Sequence, residues 1–119
     1  MKLLIVDDAK LIHFMVKKIL TAQGITDIEY SDAFDGNEAV LHADDFEPDL
    51  ILLDVVMPNK DGIAALKEIK MKHPFMKVIM VSSMGTQEKV SEALKLGATA
   101  FIQKPFDEEE LAKHVKSAS

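Results

Sequence analysis

Short apolar runs alternate along this chain with longer stretches in which apolar residues recur three or four positions apart. The runs Lys2–Val6, Leu50–Leu53, Lys77–Val81 and Ala100–Ile102 are nearly continuous, as strands covered on both faces are. A weaker run, Ile28–Ser31, reads as a short second strand. Between them the spacing predicts helices over Ala9–Gln23, Gly36–Asp45, Ile63–His73, Thr86–Leu96 and Asp107–Lys116. In the first, Ile12, Met15, Val16, Ile19 and Leu20 share a face and Gly24 is the stop signal. The second has a less regular apolar face, and the third ends before Pro74. Thr86 is a candidate cap for the fourth and Gly97 its stop. The last carries acids in its first turn and Lys in its last, as the helix dipole favours. Strict βα alternation predicts a doubly wound α/β fold, with right-handed crossovers placing helices on both faces of a parallel sheet. Leu50–Leu53, the most apolar strand, is expected at its centre.

In such a sheet every carboxyl end lies on one edge, where open α/β folds bind ligands. Four of these ends lead into polar residues: Asp7-Asp8, Asp54, Ser82 and Lys104. Each has an ordinary explanation. Asp8 would cap the first helix, Asp54 would be a polar strand end, Ser82 a turn residue beside Ser83, and Lys104 one more solvated lysine. Capping leaves the second of two adjacent acids unexplained, since like charges repel without a cation nearby. A carboxylate leaving a core strand is costly unless paired or hydrogen-bonded. Lys104 is held extended by Pro105. Taken together, the acids make an oxygen-rich site for a hard cation, and magnesium suits it. A carboxylate there can attack phosphorus to give an acyl phosphate, and an ammonium can offset the phosphoryl charge.

Composition narrows the class. A chain of 119 residues fits one domain, residues 1–119, able to bury a core without staples. It contains no Cys, hence no disulfide and no zinc–thiolate site. Net charge is −6 and every one of the 14 basic residues is Lys, which argues against direct nucleic-acid binding. No apolar run approaches a membrane span, and acids interrupt the first apolar stretch too early for a signal peptide, so a cytoplasmic protein is expected. His13, His42, His73 and His114 share no ligand spacing and are expected at surface or helix-end positions. The Met residues read as core or loop fillers.

The blocks "LLIVDDAK", "ILLDVVMPNKDG", "VSS" before Met84 and "FIQKPF" resemble, in order and spacing, the signature of the receiver domain of bacterial two-component response regulators. The resemblance spans the chain and is to stand-alone, CheY-like receivers. It implies a flavodoxin-like (βα)5 sheet in strand order 2-1-3-4-5. It further implies that Asp54 is the phosphoacceptor from a histidine kinase. Asp8, Asp54 and the Val56 backbone carbonyl would hold Mg2+, with Asp7 helping through water. Lys104 would pair with the phosphoryl oxygens, Ser82 would move toward them, and Phe101 would occupy the aromatic switch position, where Tyr is common. The Lys104–Pro105 peptide would be cis. Val56 and Met84 would flank the path of the dephosphorylating water, where they either slow hydrolysis or fill space.

Such a protein is a switch, not a turnover enzyme, although it catalyses its own phosphorylation and dephosphorylation. The resemblance implies that the kinase docks on the first helix, around Leu11, Phe14 and Lys18, which project away from its core face. A downstream protein would read the Thr86–Lys116 face. The "SSMG" loop and single-domain length lean toward chemotaxis; the alternative is a receiver fragment or phosphorelay intermediate controlling transcription through another protein. A haloacid-dehalogenase-type phosphatase would want a second Asp two residues after the first, where this chain has Val56. A degenerate, unphosphorylated receiver would normally have lost an acid or the Lys.

Overall fold

The computed structural model describes residues 1–83 and 87–118. Strands and helices alternate along them as β1 (Lys2–Val6), α1 (Lys10–Ala22), β2 (Glu29–Ala33), α2 (Gly36–Phe46), β3 (Leu50–Asp54), α3 (Gly62–Lys72), β4 (Lys77–Ser82), α4 (Gln87–Lys95), β5 (Ala100–Gln103) and α5 (Glu108–Ala118). The strands form one parallel sheet in the order β2-β1-β3-β4-β5, with β3 central and fully buried. The order reverses between β1 and β3, so their carboxyl ends flank the crevice where doubly wound sheets place ligands.

Successive strand residues point to opposite faces, and both faces are covered. Leu4, Val6, Ile51, Leu53, Val78 and Met80 pack on one side against Ala39 and Val40 of α2, Leu66 and Ile69 of α3, and Ala93 of α4. Leu3, Ile5, Leu50, Leu52, Ile79 and Val81 pack on the other against Val16 and Leu20 of α1, and Leu111 and Val115 of α5. Two dry faces explain the apolar runs in β1, β3, β4 and β5, whose polar residues stand at the strand ends.

β2 departs from the expected elements, beginning one residue and ending two residues later than the apolar run at Ile28–Ser31. It is an edge strand of mostly half-buried polar residues, and its bounds come from pairing with β1, Lys2 opposite Glu29 through Val6 opposite Ala33. β1 matches its apolar run, and β3, β4 and β5 run one residue past theirs, so Asp54 and Ser82 belong to strands and are buried. Asp35 and Asp61 cap α2 and α3, their carboxylates accepting the Glu38 and Ala64 N–H groups at 2.8 Å. The expected cap of α1 by Asp8 is not formed; Ala9 is the capping residue and has no side-chain cap. The expected cap Thr86 lies outside the described residues.

Candidate functional site

Asp7 follows β1 and is 2% exposed, yet each of its polar groups is engaged. Its N–H donates to the Ala33 carbonyl (3.2 Å) and its carbonyl meets His13 Nε2 (2.8 Å). Oδ1 accepts the Ala9 N–H (2.9 Å), and Oδ2 accepts from Lys104 Nζ (2.6 Å). The same ammonium stands 3.6 Å from Asp54 Oδ1. Lys104 reaches the pocket because β5 ends beside β4, where the Lys104 N–H donates to the Ser82 carbonyl at 2.9 Å. The peptide between Lys104 and Pro105 is cis, as the resemblance implied. Ser82, at the end of β4, is 1% exposed, whereas Asp8 sits exposed on the rim.

Four strand ends thus bring together the residues expected of them. One carboxylate oxygen from each of Asp7, Asp8 and Asp54 lies within 4.8 Å of the others. With all three acids ionised, three negative charges face the single positive charge of Lys104, leaving two uncompensated. Burial is the main cause that pushes the Asp54 carboxyl up to about 6, and repulsion from Asp7 adds to it. Lys104 and the Val56 N–H act in the opposite direction, and Asp8 contributes a smaller upward push. A divalent cation with a preference for hard oxygen ligands fits this donor set and this charge deficit.

The position after Asp54 is shaped by Gly62. A Cβ at Gly62 would lie 2.0 Å from the Asp54 carbonyl and 2.7 Å from the Val55 Cα, so α3 can start this close to β3 only on glycine. The Gly62 N–H donates to the Val55 carbonyl at 2.7 Å. In the sequence Gly62 reads as one member of a turn; its steric role depends on a neighbour that only the fold supplies. Val56 is exposed beside the acceptor, and Met84 lies outside the described residues. Phe101 is half-buried against the core side formed by α2, α3 and α4.

His13 is the clearest correction. The expectation is a surface or helix-end position, but His13 is 4% exposed and bridges Asp7 to Asp32. Helical spacing offered a signal, since His13 lies three residues before Val16 and seven before Leu20, on the buried stripe of α1. On the opposite side of α1, Leu11 and Phe14 are 66% and 65% exposed, and Lys18 is exposed with them. Exposed apolar side chains occur elsewhere too, at Leu41, Met71 and Leu94 on other helices and Phe75 in the turn before β4. A cleft of about 1000 Å³ between α3 and α4 is lined by Asp61, Lys67, Glu88, Glu92 and Lys95. It includes none of the strand-end residues, so charge and not concavity marks the site.

Comparison with known proteins agrees with this arrangement. Residues 3–116 match the family model of the response regulator receiver domain. The chemotaxis protein CheY of Listeria monocytogenes is 41% identical over 119 residues, covering 100% of this chain and 98% of its own. The receiver domain of NtrX from Brucella abortus superposes with a TM-score of 0.86 at 36% identity, over 98% of this chain and 96% of that one. The chemotaxis protein CheY4 of Vibrio cholerae gives a TM-score of 0.86 at 33% identity, over 99% and 98% of the two chains.

Proposed function

Since the chain belongs to the response regulator receiver family, we propose that it is a phosphorylation switch in which Asp54 accepts a phosphoryl group from a histidine kinase in a magnesium-dependent step. The observation that carries this reading is the meeting of Asp7, Asp8, Asp54, Ser82 and Lys104 at one sheet edge. An Asp54 carboxylate oxygen forms the new bond to phosphorus. The bond from phosphorus to the donor's imidazole nitrogen, or to the acyl oxygen of acetyl phosphate, breaks, and its electron pair leaves with the donor. Without a cation, burial and Asp7 push the Asp54 carboxyl up to about 6; a bound cation would favour its ionised form, the one that attacks. Lys104 already spans Asp7 and Asp54, so its ammonium can turn to the new phosphoryl oxygens without leaving the pocket.

Magnesium, held by Asp8, Asp54 and the Val56 carbonyl, would supply charge neutralisation at the phosphoryl oxygens. Asp7, whose oxygens accept from the Ala9 N–H and Lys104, would act through water, as the family resemblance implies. Once formed, the phosphoryl group draws the Ser82 hydroxyl toward it and Phe101 turns inward. This shifts a pre-existing equilibrium by binding one state better than the other. A protein target then reads the surface over Thr86–Lys116. Phe101 carries no hydroxyl, so the inward swing acts by packing alone.

Residues 1–119 act here as one receiver unit in the cytoplasm, with output through protein contact in chemotaxis, as the names of its relatives suggest. None of the described helices is long and apolar enough to cross a membrane. The kinase docks on α1 at Leu11, Phe14 and Lys18, whose exposure supports this surface. The deciding experiment is intact-mass measurement after incubation with acetyl phosphate and magnesium. A single phosphate adduct on wild type and none on Asp54→Asn is expected; an adduct of equal occupancy on Asp54→Asn would overturn the assignment.

A further inference from the structure

The imidazole of His13 has no part in the phosphoryl chemistry, yet it lies directly beneath it. Its ring packs at a tilt of 32° on Phe34, centroids 4.5 Å apart, on the buried side of α1. Nε2 is 2.8 Å from the Asp7 carbonyl oxygen, and Nδ1 is 2.7 Å from Asp32 Oδ1. Asp32 Oδ2 in turn accepts from Lys17 Nζ at 2.9 Å. A peptide carbonyl only accepts. Burial pushes the Asp32 carboxyl up, but hydrogen bonds from Lys17 and His13 outweigh it and hold the group below the usual carboxylate range, so it accepts as well. Both ring nitrogens therefore face acceptors, and the Asp7 carbonyl is met by a donating Nε2–H.

The carbonyl that His13 engages belongs to the peptide joining Asp7 to Asp8. The N–H of Asp7 is committed to Ala33, so the residue is clamped from both sides, by β2 at one end and α1 at the other. Asp8 is exposed on the rim, and the peptide plane before it sets where its carboxylate starts. We infer that His13 is a positioning residue for the metal site: by holding the Asp7–Asp8 peptide against α1 and β2, it aims the Asp8 carboxylate that would hold the cation and the Asp7 carboxylate that would reach it through water. The inference rests on the magnesium reading of the pocket. It assigns to α1 a second task, on the face opposite the exposed Leu11 and Phe14.

Partners one step removed from a metal commonly affect its affinity by 10–100-fold, and a site that keeps several waters should respond at the lower end, by about tenfold. The test is calorimetric titration of folded protein with magnesium chloride, for wild type, His13→Gln, His13→Leu and Ile69→Val. Ile69 is a buried α3 residue outside the site, so its variant loses core packing without touching the pocket. His13→Leu, which has no donor, should bind magnesium about tenfold more weakly. His13→Gln retains an amide donor and should fall between it and wild type, and Ile69→Val should bind as wild type. Should His13→Leu not fold, the loss in His13→Gln decides the matter. Wild-type affinity in both His13 variants, or an equal loss in Ile69→Val, would overturn the role of His13. Failure of wild type itself to bind magnesium would instead overturn the metal reading, and the inference with it.

Discussion

Replacing Asp54 with Asn should make the metal-free protein more stable at neutral pH. The fold raises the Asp54 carboxyl from an ordinary value of 3.8 to about 6, chiefly by burial and next by repulsion from Asp7. A raised folded value means that the native state prefers the protonated form. The stability associated with that proton is fully present below about pH 4, is lost as pH rises through about 6, and stays lost above. The shift is roughly two units, at roughly 1.4 kcal/mol each, which sets a ceiling of about 3 kcal/mol. The pocket opens to solvent at Asp8, and screening there reduces the expected effect to about 2 kcal/mol. Asn keeps the shape and cannot ionise, so it escapes this cost. The check is urea unfolding of wild type and Asp54→Asn in a chelator, followed by circular dichroism at pH 7.5 and near pH 4. At a slope on the order of 2 kcal/mol per molar urea, the midpoint of Asp54→Asn should lie about 1 M higher at pH 7.5. The gap should close near pH 4. Magnesium should then raise the wild-type midpoint, by about 2.7 kcal/mol of stability at a hundred times its dissociation constant. Equal midpoints at pH 7.5, or a gap that persists undiminished at pH 4, would refute the reasoning.

Three other perturbations follow from the same geometry. Gly62→Ala forces a methyl group to within 2.0 Å of the Asp54 carbonyl, so α3 must shift; a loss of about 3 kcal/mol or more in urea unfolding is expected, and a wild-type midpoint would contradict it. Lys104→Met removes the cation facing Asp7 and Asp54, so the Asp54 carboxyl should titrate above its wild-type value of about 6. Carboxyl-carbon NMR across pH 4–9 reads this directly, and an unchanged midpoint would count against it. Phe14→Ala should slow phosphoryl transfer from the cognate kinase roughly tenfold, the effect of about 1.4 kcal/mol at an exposed docking residue, while leaving transfer from acetyl phosphate unchanged. Equal loss with both donors would point to a defect in the fold and not in docking.

Much of the protein was legible from local pattern. Continuous apolar runs identified β1, β3, β4 and β5 because both faces of the sheet are dry, and helical spacing marked α1 by its Val16–Leu20 stripe. Once those runs are read as parallel, the residues that follow them must share an edge, so Asp7, Asp8, Asp54, Ser82 and Lys104 were found without any knowledge of contacts. The carboxyl end of β2 was not legible, since Asp32 carries no strand signal and, with Ala33, is strand only by pairing with Ile5 and Val6. Neither was the state of the site. That Lys104 sits on Asp7 at 2.6 Å, 97 positions away in sequence, and that Asp54 is pushed to about 6, depend on which groups the sheet order sets side by side. His13 and Gly62 belong to the same class. An imidazole on a helix becomes a buried bridge, and a turn glycine becomes a steric necessity, only when β1, β2 and β3 arrive beside them. Periodicity is a property of neighbours along the chain. Proton affinity, ion pairing and close approach are properties of neighbours in space, and these only the tertiary structure decided.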